Sequence, residues 1–459
     1  MRFEFVHFAD AHVGTEQYRN PSRYLDFART YRNVIGYCVG QRVKLVLIAG
    51  DLFNSDDIWA TTHDHVCQGL QDLRDAGIAV VAVRGNHERP RPHRPRLWLH
   101  SLASRGLLHL LDIDVDAEGR VALRPWCSEE CAGGYLDLDG VRIVGLGWQG
   151  AQTAEAVKGL ADALSLLPRD GIEYTIVVAH AAMAGYLPGY DGGLTYEQIA
   201  PLEPQVDYLA LGHIHKSYQI NRNLSDSDGG PWIFNPGSLD TYAINEWGWD
   251  RGFYHVKVDT AARPRHDALL RRPALRPVVA ATVSVTDLAS PEALQEAVRV
   301  ALMKEMESVR PRVKPIAQMS LTGTLRFSRA DFDIDVIEQL VNECCHPLVA
   351  LVKDHTSVVG ALEPEPGQAP LDREQLELET FKNAWAADLR YRERAEEYAR
   401  FTADVKDLLL SDTAPEKVAV ALRERFKALD AGVSLSPEEE RPEAAQPAMP
   451  GFAATEGNR

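Results

Sequence analysis

Five times in its first 215 residues the chain runs a short apolar stretch and stops it on a residue that can bind a metal ion. The stops are Asp10-Ala-His12, Gly50-Asp51, Gly85-Asn86-His87, His180 and Gly212-His213-Ile214-His215. The runs before them, such as Val43 to Ile48, Ile78 to Val83, Tyr174 to Ala179 and Asp207 to Leu211, are rich in Val, Ile, Leu or Phe and read as buried strands. Helical stretches such as Tyr24 to Val39 and Thr61 to Ala76 alternate with them, the pattern of an α/β layered fold over residues 1–262. In sheets with helical crossovers, binding groups from distant parts of the chain converge at the carboxyl ends of the strands. The stops are therefore expected to form one site.

The residue types point to metal chemistry. Asp10 and His12 lie two apart at a strand end, so their side chains share a side and can grip one ion; His213 and His215 repeat the spacing. Asp51 has two oxygens and can bridge two cations, while Asn86 offers a neutral carbonyl oxygen. Mixed histidine nitrogen and carboxylate oxygen suit Mn²⁺, Fe²⁺ or Zn²⁺ better than Ca²⁺ or Mg²⁺. The inventory fits two divalent ions, which together stabilise the attacking and leaving oxygens of an in-line phosphoryl displacement. His87 is the histidine left over for acid chemistry at the leaving oxygen. His63 and His65 fall in a polar helix and read as surface residues, and His7, inside the first strand, as structural.

At these residues the chain resembles the calcineurin-like metallophosphoesterases, and within them the SbcD-type DNA repair nucleases. The supporting stretches are His7-Phe-Ala-Asp-Ala-His-Val-Gly, Leu47-Ile-Ala-Gly-Asp-Leu-Phe, Leu211-Gly-His-Ile-His-Lys and Asn235-Pro-Gly-Ser-Leu. The resemblance implies a four-layer α/β/β/α core, with Asp10, His12, Asp51 and His215 on one metal and Asp51, Asn86, His180 and His213 on the other. His87 would be the catalytic histidine. It further implies Mn²⁺-dependent exo- or endonuclease action on DNA in double-strand-break repair, homodimerisation, and a partner ATPase of the SMC-like coiled-coil type. Two positions depart from the family pattern. Glu88 replaces the aspartate of GNHD, and Asn54 stands where a histidine often positions the substrate phosphate; Asn54 can donate a hydrogen bond but not a proton.

The rest of the chain is organised by shifts in composition. Beyond a proline-bearing arginine-rich break at 263–276, residues 276–356 read as a small α+β domain, 357–370 as a Pro/Gly linker, 371–430 as helices whose apolar stripes pack on a partner or on each other, and 431–459 as a disordered Pro/Glu/Ala-rich tail. The resemblance implies that 276–356 is a capping domain and that 371–430 binds the ATPase. A net charge of −17 argues against indiscriminate polyanion binding by the whole chain. Arg84 to Arg96 nevertheless holds five arginines and one acid. Arg84, Arg89, Arg91, Arg94 and Arg96, with Asn54, are thus expected to contact DNA; otherwise the arginines pair with the protein's own acids. Six cysteines without zinc-finger spacing, no 18-residue apolar run and no cleavable signal predict a cytoplasmic protein without membrane partners, and the resemblance implies that it is nucleoid-associated. Two alternatives stay open: a free-standing phosphodiesterase or phosphatase acting on a small nucleotide or phosphoprotein, and a scaffold that only binds DNA ends or ATPase.

Overall fold

Alternating apolar runs and helices build the first 278 residues into two six-stranded sheets with helices outside. The computed structural model describes residues 1–89, 97–116, 120–186, 193–225, 230–358, 373–386, 391–410 and 423. The first unit begins β1 (Arg2–Phe8), α1 (Pro21–Gln41), β2 (Leu45–Ala49), α2 (Ala60–Asp75), β3 (Ala79–Val83), α3 (Trp98–Ser104) and β4 (His109–Leu110). A small ribbon, β5 (Asp114–Val115) and β6 (Val121–Ala122), follows. Next come β7 (Tyr135–Leu138), β8 (Val141–Leu146), α4 (Thr153–Ser165), β9 (Tyr174–His180), α5 (Tyr196–Ile199) and β10 (Tyr208–Gly212). The unit closes with β11 (Tyr218–Asn221), β12 (Pro231–Asn235), β13 (Phe253–Asp259) and β14 (His266–Arg271).

The first sheet has the order β14-β13-β1-β2-β3-β4 and the second β11-β12-β10-β9-β8-β7. In the first, β1 to β4 are parallel neighbours; in the second, β8, β9, β10 and β12 are. Parallel strands need both faces covered. The inner faces cover each other, with Phe5, Leu47 and Val81 buried against a layer that includes Ile143, Ile176 and Tyr208. Outside, α1, α2 and α3 bury residues such as Tyr31, Leu70 and Leu102 on the first sheet, and α4 buries Val157 and Leu160 on the second. Each fully buried large apolar side chain contributes about 1.5–3 kcal/mol, so a one-residue slip of a central strand would be prohibitive. That fixes where each strand ends, and β1, β2, β3, β9 and β10 end at the five stops.

The first unit reaches Val278 rather than stopping near 262. Strand β14 pairs antiparallel with β13 from Phe253↔Arg271 to Val258↔His266 and forms the edge of the first sheet. Prolines at 264, 273 and 277 flank it and its side chains alternate between exposed and half-buried, so an edge strand resembles a linker in sequence. Arg276 ties this end of the unit to Asp26 on α1.

The second unit carries β15 (Val278–Ser284), α6 (Pro291–Val309), β16 (Ile316–Leu325), α7 (Ile334–Cys345) and β17 (Val349–Val358). Its sheet has the order β15-β16-β17, and Val279 and Val283 are buried together with Leu294, Val298 and Leu302 of α6 and Leu340 of α7. Helices α8 (Arg373–Ala386) and α9 (Ala395–Leu410) pack on each other through Trp385, which stands 4.9 Å from the Tyr398 ring and donates to Thr402 Oγ1 at 2.8 Å. Most of the expected linker, the stripe Val418, Leu422 and Phe426, and the tail at 431–459 lie outside the described residues. Among the described residues no helix is long and apolar enough to cross a membrane.

Candidate metal centre

The strand ends bring Asp10, His12, Asp51, Asn86, His87, His180, His213 and His215 together. Two groups of donor atoms form around Asp51. In the first, His12 Nε2 and His215 Nε2 are 3.1 Å apart, and each lies 4.0 Å from Asp10 Oδ1. In the second, Asn86 Oδ1 is 2.9 Å from His180 Nε2 and 2.8 Å from His213 Nδ1. Asp51 Oδ2 reaches both, at 4.0 Å from His12 Nε2 and 3.4 Å from His180 Nε2.

The backbone holds these groups in place at a cost. Asp10, His12, Asp51 and His213 all have φ between 45° and 92°, the left-handed region that non-glycine residues seldom occupy. Such strain persists only where the surroundings over-determine it, and it gathers at functional sites. Here Asp10 Oδ2 accepts from the His213 amide at 2.9 Å and Asp51 Oδ1 from the His87 amide at 2.9 Å. Two glycines make room. A Cβ on Gly50 would stand 2.2 Å from His180 Nδ1, and one on Gly85 would stand 2.0 Å from Asp51 Oδ1. Asn235 of the Asn-Pro-Gly-Ser-Leu stretch donates to the Ile214 and Lys216 carbonyls at 2.7 and 2.9 Å, clamping the loop that carries His213 and His215.

Neighbouring acceptors set the histidine tautomers. His180 Nδ1 donates to the Ala49 carbonyl at 2.8 Å, which leaves Nε2 to face the cluster. His215 Nδ1 donates to Glu246, 3.1 Å from Oε1, which likewise aims Nε2 inward. His87 Nδ1 donates to the Asn54 carbonyl at 2.8 Å, so its Nε2 points at the centre, 4.0 Å from Asp51 Oδ2. His87 is also 31% exposed, open to an incoming molecule.

The electrostatics favour a cation. Burial lowers His12 well below its usual range and lowers His213 to about 4, keeping both neutral. Burial opposes the His180 imidazolium too, but Asp51 outweighs it and raises the group to about 9. Burial raises Asp10 to about 6, while the surrounding histidines hold Asp51 well below the usual carboxylate range. Asp10 Oδ1, which faces the Nε2 atoms of His12 and His215, is buried with no hydrogen-bond partner. Buried polar atoms without partners are rare, and an ion is one of the few things that satisfies them. Two imidazole nitrogens on one ion, at about 2.0–2.1 Å each, would stand close to the observed His12–His215 separation. The donor set fits two divalent ions.

Residues 3–217 match the model of the calcineurin-like phosphoesterase family. The chain carries a calcineurin-like phosphoesterase domain. It is 31% identical over 251 residues to the DNA double-strand break repair protein Mre11 of Archaeoglobus fulgidus, covering 53% of this chain and 51% of that one. The Mre11 of Sulfolobus acidocaldarius is 24% identical over 248 residues, covering 53% and 59%. That of Methanococcus maripaludis is 31% identical over 250 residues, again covering 53% and 59%. The chain thus spans about half the length of the curated relatives it matches.

Several expected roles look different in the structure. Arg84 is turned inward, its Nε donating to Asp112 Oδ2 at 2.9 Å. Arg89 is exposed, donates to the Asn86 carbonyl at 2.8 Å and stacks over the Trp148 ring at 4.0 Å. Asn54 meets His87 through its main chain rather than its side chain. Glu88 does not touch His87: it accepts from the Phe53 and Gly85 amides, both at 3.0 Å, and burial raises its carboxyl to about 7. Arg91, Arg94 and Arg96 lie outside the described residues. His7 is fully buried, donating to the Leu211 carbonyl at 3.0 Å and accepting from the Tyr208 hydroxyl at 3.1 Å. Sequence reasoning missed Glu246 and Tyr242, whose ring lies 4.5 Å from that of His12 and 5.1 Å from that of His215. Their one signal is position, shortly after the Asn235 motif.

Proposed function

We propose that the chain is a two-metal phosphodiesterase that cuts DNA at or near ends, a nuclease of double-strand-break repair. The observation that carries this reading is Asp51 Oδ2 lying within reach of both donor groups, with His87 facing the same point. Asp10, His12, Asp51 and His215 would hold one ion, and Asp51, Asn86, His180 and His213 the other. When bound, two such ions stabilise the attacking and leaving oxygens of a phosphoryl displacement. His87 Nε2, oriented through the Asn54 carbonyl, donates the proton that the leaving oxygen needs. Glu246 holds His215 in the tautomer that binds metal.

DNA is favoured as substrate by the relatives' role in double-strand break repair and by the arginine-rich sequence from Arg84 to Arg96. Mixed nitrogen and oxygen donors suit Mn²⁺, Fe²⁺ or Zn²⁺, and the nuclease resemblance favours Mn²⁺ among them. The second unit would cap the nuclease, and α8, α9 and the segment after them would dock an SMC-like ATPase. Exposed Leu25 on α1 and Trp59 just before α2 favour a homodimer through that face. With Mn²⁺, wild-type protein should degrade linear DNA, and His87→Ala should abolish cleavage with an unchanged melting temperature. Deleting 371–430 should remove ATPase binding while sparing hydrolysis of a small diester. DNA left intact beside rapid hydrolysis of a cyclic dinucleotide would contradict the nuclease reading and favour a free-standing phosphodiesterase.

A further inference from the structure

A cavity of about 620 Å³ opens beside the second donor group. Its lining includes Asn86, His180 and His213 together with Arg89 and Trp148. That volume falls within the range of small-molecule sites, and it exceeds what a phosphate at the metal centre would need.

Trp148 is braced rather than loose. Its amide donates to the Arg84 carbonyl at 3.0 Å. The preceding Gly147 amide donates to Asp112 Oδ1 at 2.9 Å, and Asp112 Oδ2 accepts from Arg84. Beyond it, Gly150 turns at φ +60°, and a Cβ there would stand 2.9 Å from the indole. Arg84 therefore supports the loop that presents Trp148. Arg89 connects the same indole to the metal centre, its guanidinium stacked on the ring and its Nε held by the carbonyl of Asn86.

A half-buried indole with a cation on its face, in a cavity shared with metal-binding side chains, suits a flat aromatic group attached to a phosphate. The geometry points to Trp148 as the platform on which a nucleobase of the substrate stacks, with Arg89 as the residue that orients it. This rests on the phosphodiesterase reading above and adds the residue by which nucleotide diesters would be favoured over diesters of the same reactivity without a base.

The test compares two esters with one leaving group, thymidine 5′-(p-nitrophenyl phosphate) and methyl p-nitrophenyl phosphate, using the full chain with Mn²⁺. Stacking on an aromatic side chain is commonly lost on alanine substitution with an effect on the order of ten-fold or more. Trp148→Ala should lower the ratio of kcat/KM for the thymidine ester to that for the methyl ester about ten-fold, mainly through KM, and Trp148→Phe should retain most of the ratio. A purely structural Trp148 would lower both esters in proportion. An unchanged ratio in Trp148→Ala overturns the inference while leaving the phosphodiesterase reading intact. A wild-type chain that hydrolyses neither ester overturns both.

Discussion

Glu246→Gln tests the support behind one metal ligand. Glu246 receives the Nδ1 proton of His215 at 3.1 and 3.2 Å, and both side chains are largely buried, so little solvent can replace the contact. Glutamine keeps the volume and one acceptor oxygen but removes the charge that raises His215 against its burial. Loss of such a supporting partner typically costs about 10–100-fold in metal affinity. The isosteric change belongs at the lower end, about ten-fold or ~1.4 kcal/mol, and only for the ion held by Asp10, His12 and His215. Calorimetric titration of Mn²⁺ into metal-free protein should show two steps, one weakened and one unchanged; the melting temperature should fall as well, because Glu246 also pairs with buried Arg251 at 3.5 Å. Equal weakening of both steps, or of neither, would refute the reasoning.

Three further outcomes are expected. Gly85→Ala should abolish Mn²⁺-dependent hydrolysis in a folded protein, because the new Cβ would stand 2.0 Å from Asp51 Oδ1; wild-type rates would contradict that packing. Glu88→Asp should lower stability by about 1–3 kcal/mol, since a shorter carboxylate cannot serve both the Phe53 and Gly85 amides and leaves a buried donor unpaired; an unchanged thermal melt would contradict it. His7 is lowered by burial to about 3, below its unfolded value of 6.5, so its contribution is present above pH 6.5 and lost as pH falls. From pH 6.5 to 5 this is about 2 kcal/mol, and His7→Phe, though less stable overall, should lose less stability over that interval than wild type; an equal loss would contradict it.

The seven proposed metal ligands and His87 were legible because each is a strong donor directly after a local apolar run, and both features are read within a few residues. Other features depend on contacts between distant residues. Glu246 meets His215 from 31 positions away, and Asn54 meets His87 from 33 positions away through a carbonyl that any residue would carry. Glu88 stood out as a departure from GNHD, yet its partners are backbone amides, which leave no trace in side-chain identity. Arg84 and Arg89 look alike in sequence; only the fold sends one to Asp112 and the other to Trp148. Strand β14 was hidden because an edge strand between prolines lacks the apolar run that marks a central one.

The most direct test of the central claim is anomalous diffraction at the manganese edge from crystals soaked in Mn²⁺. Two peaks are predicted, one among Asp10, His12 and His215 and one among Asn86, His180 and His213, with Asp51 in contact with both. A single peak, or two that do not share Asp51, would contradict the account.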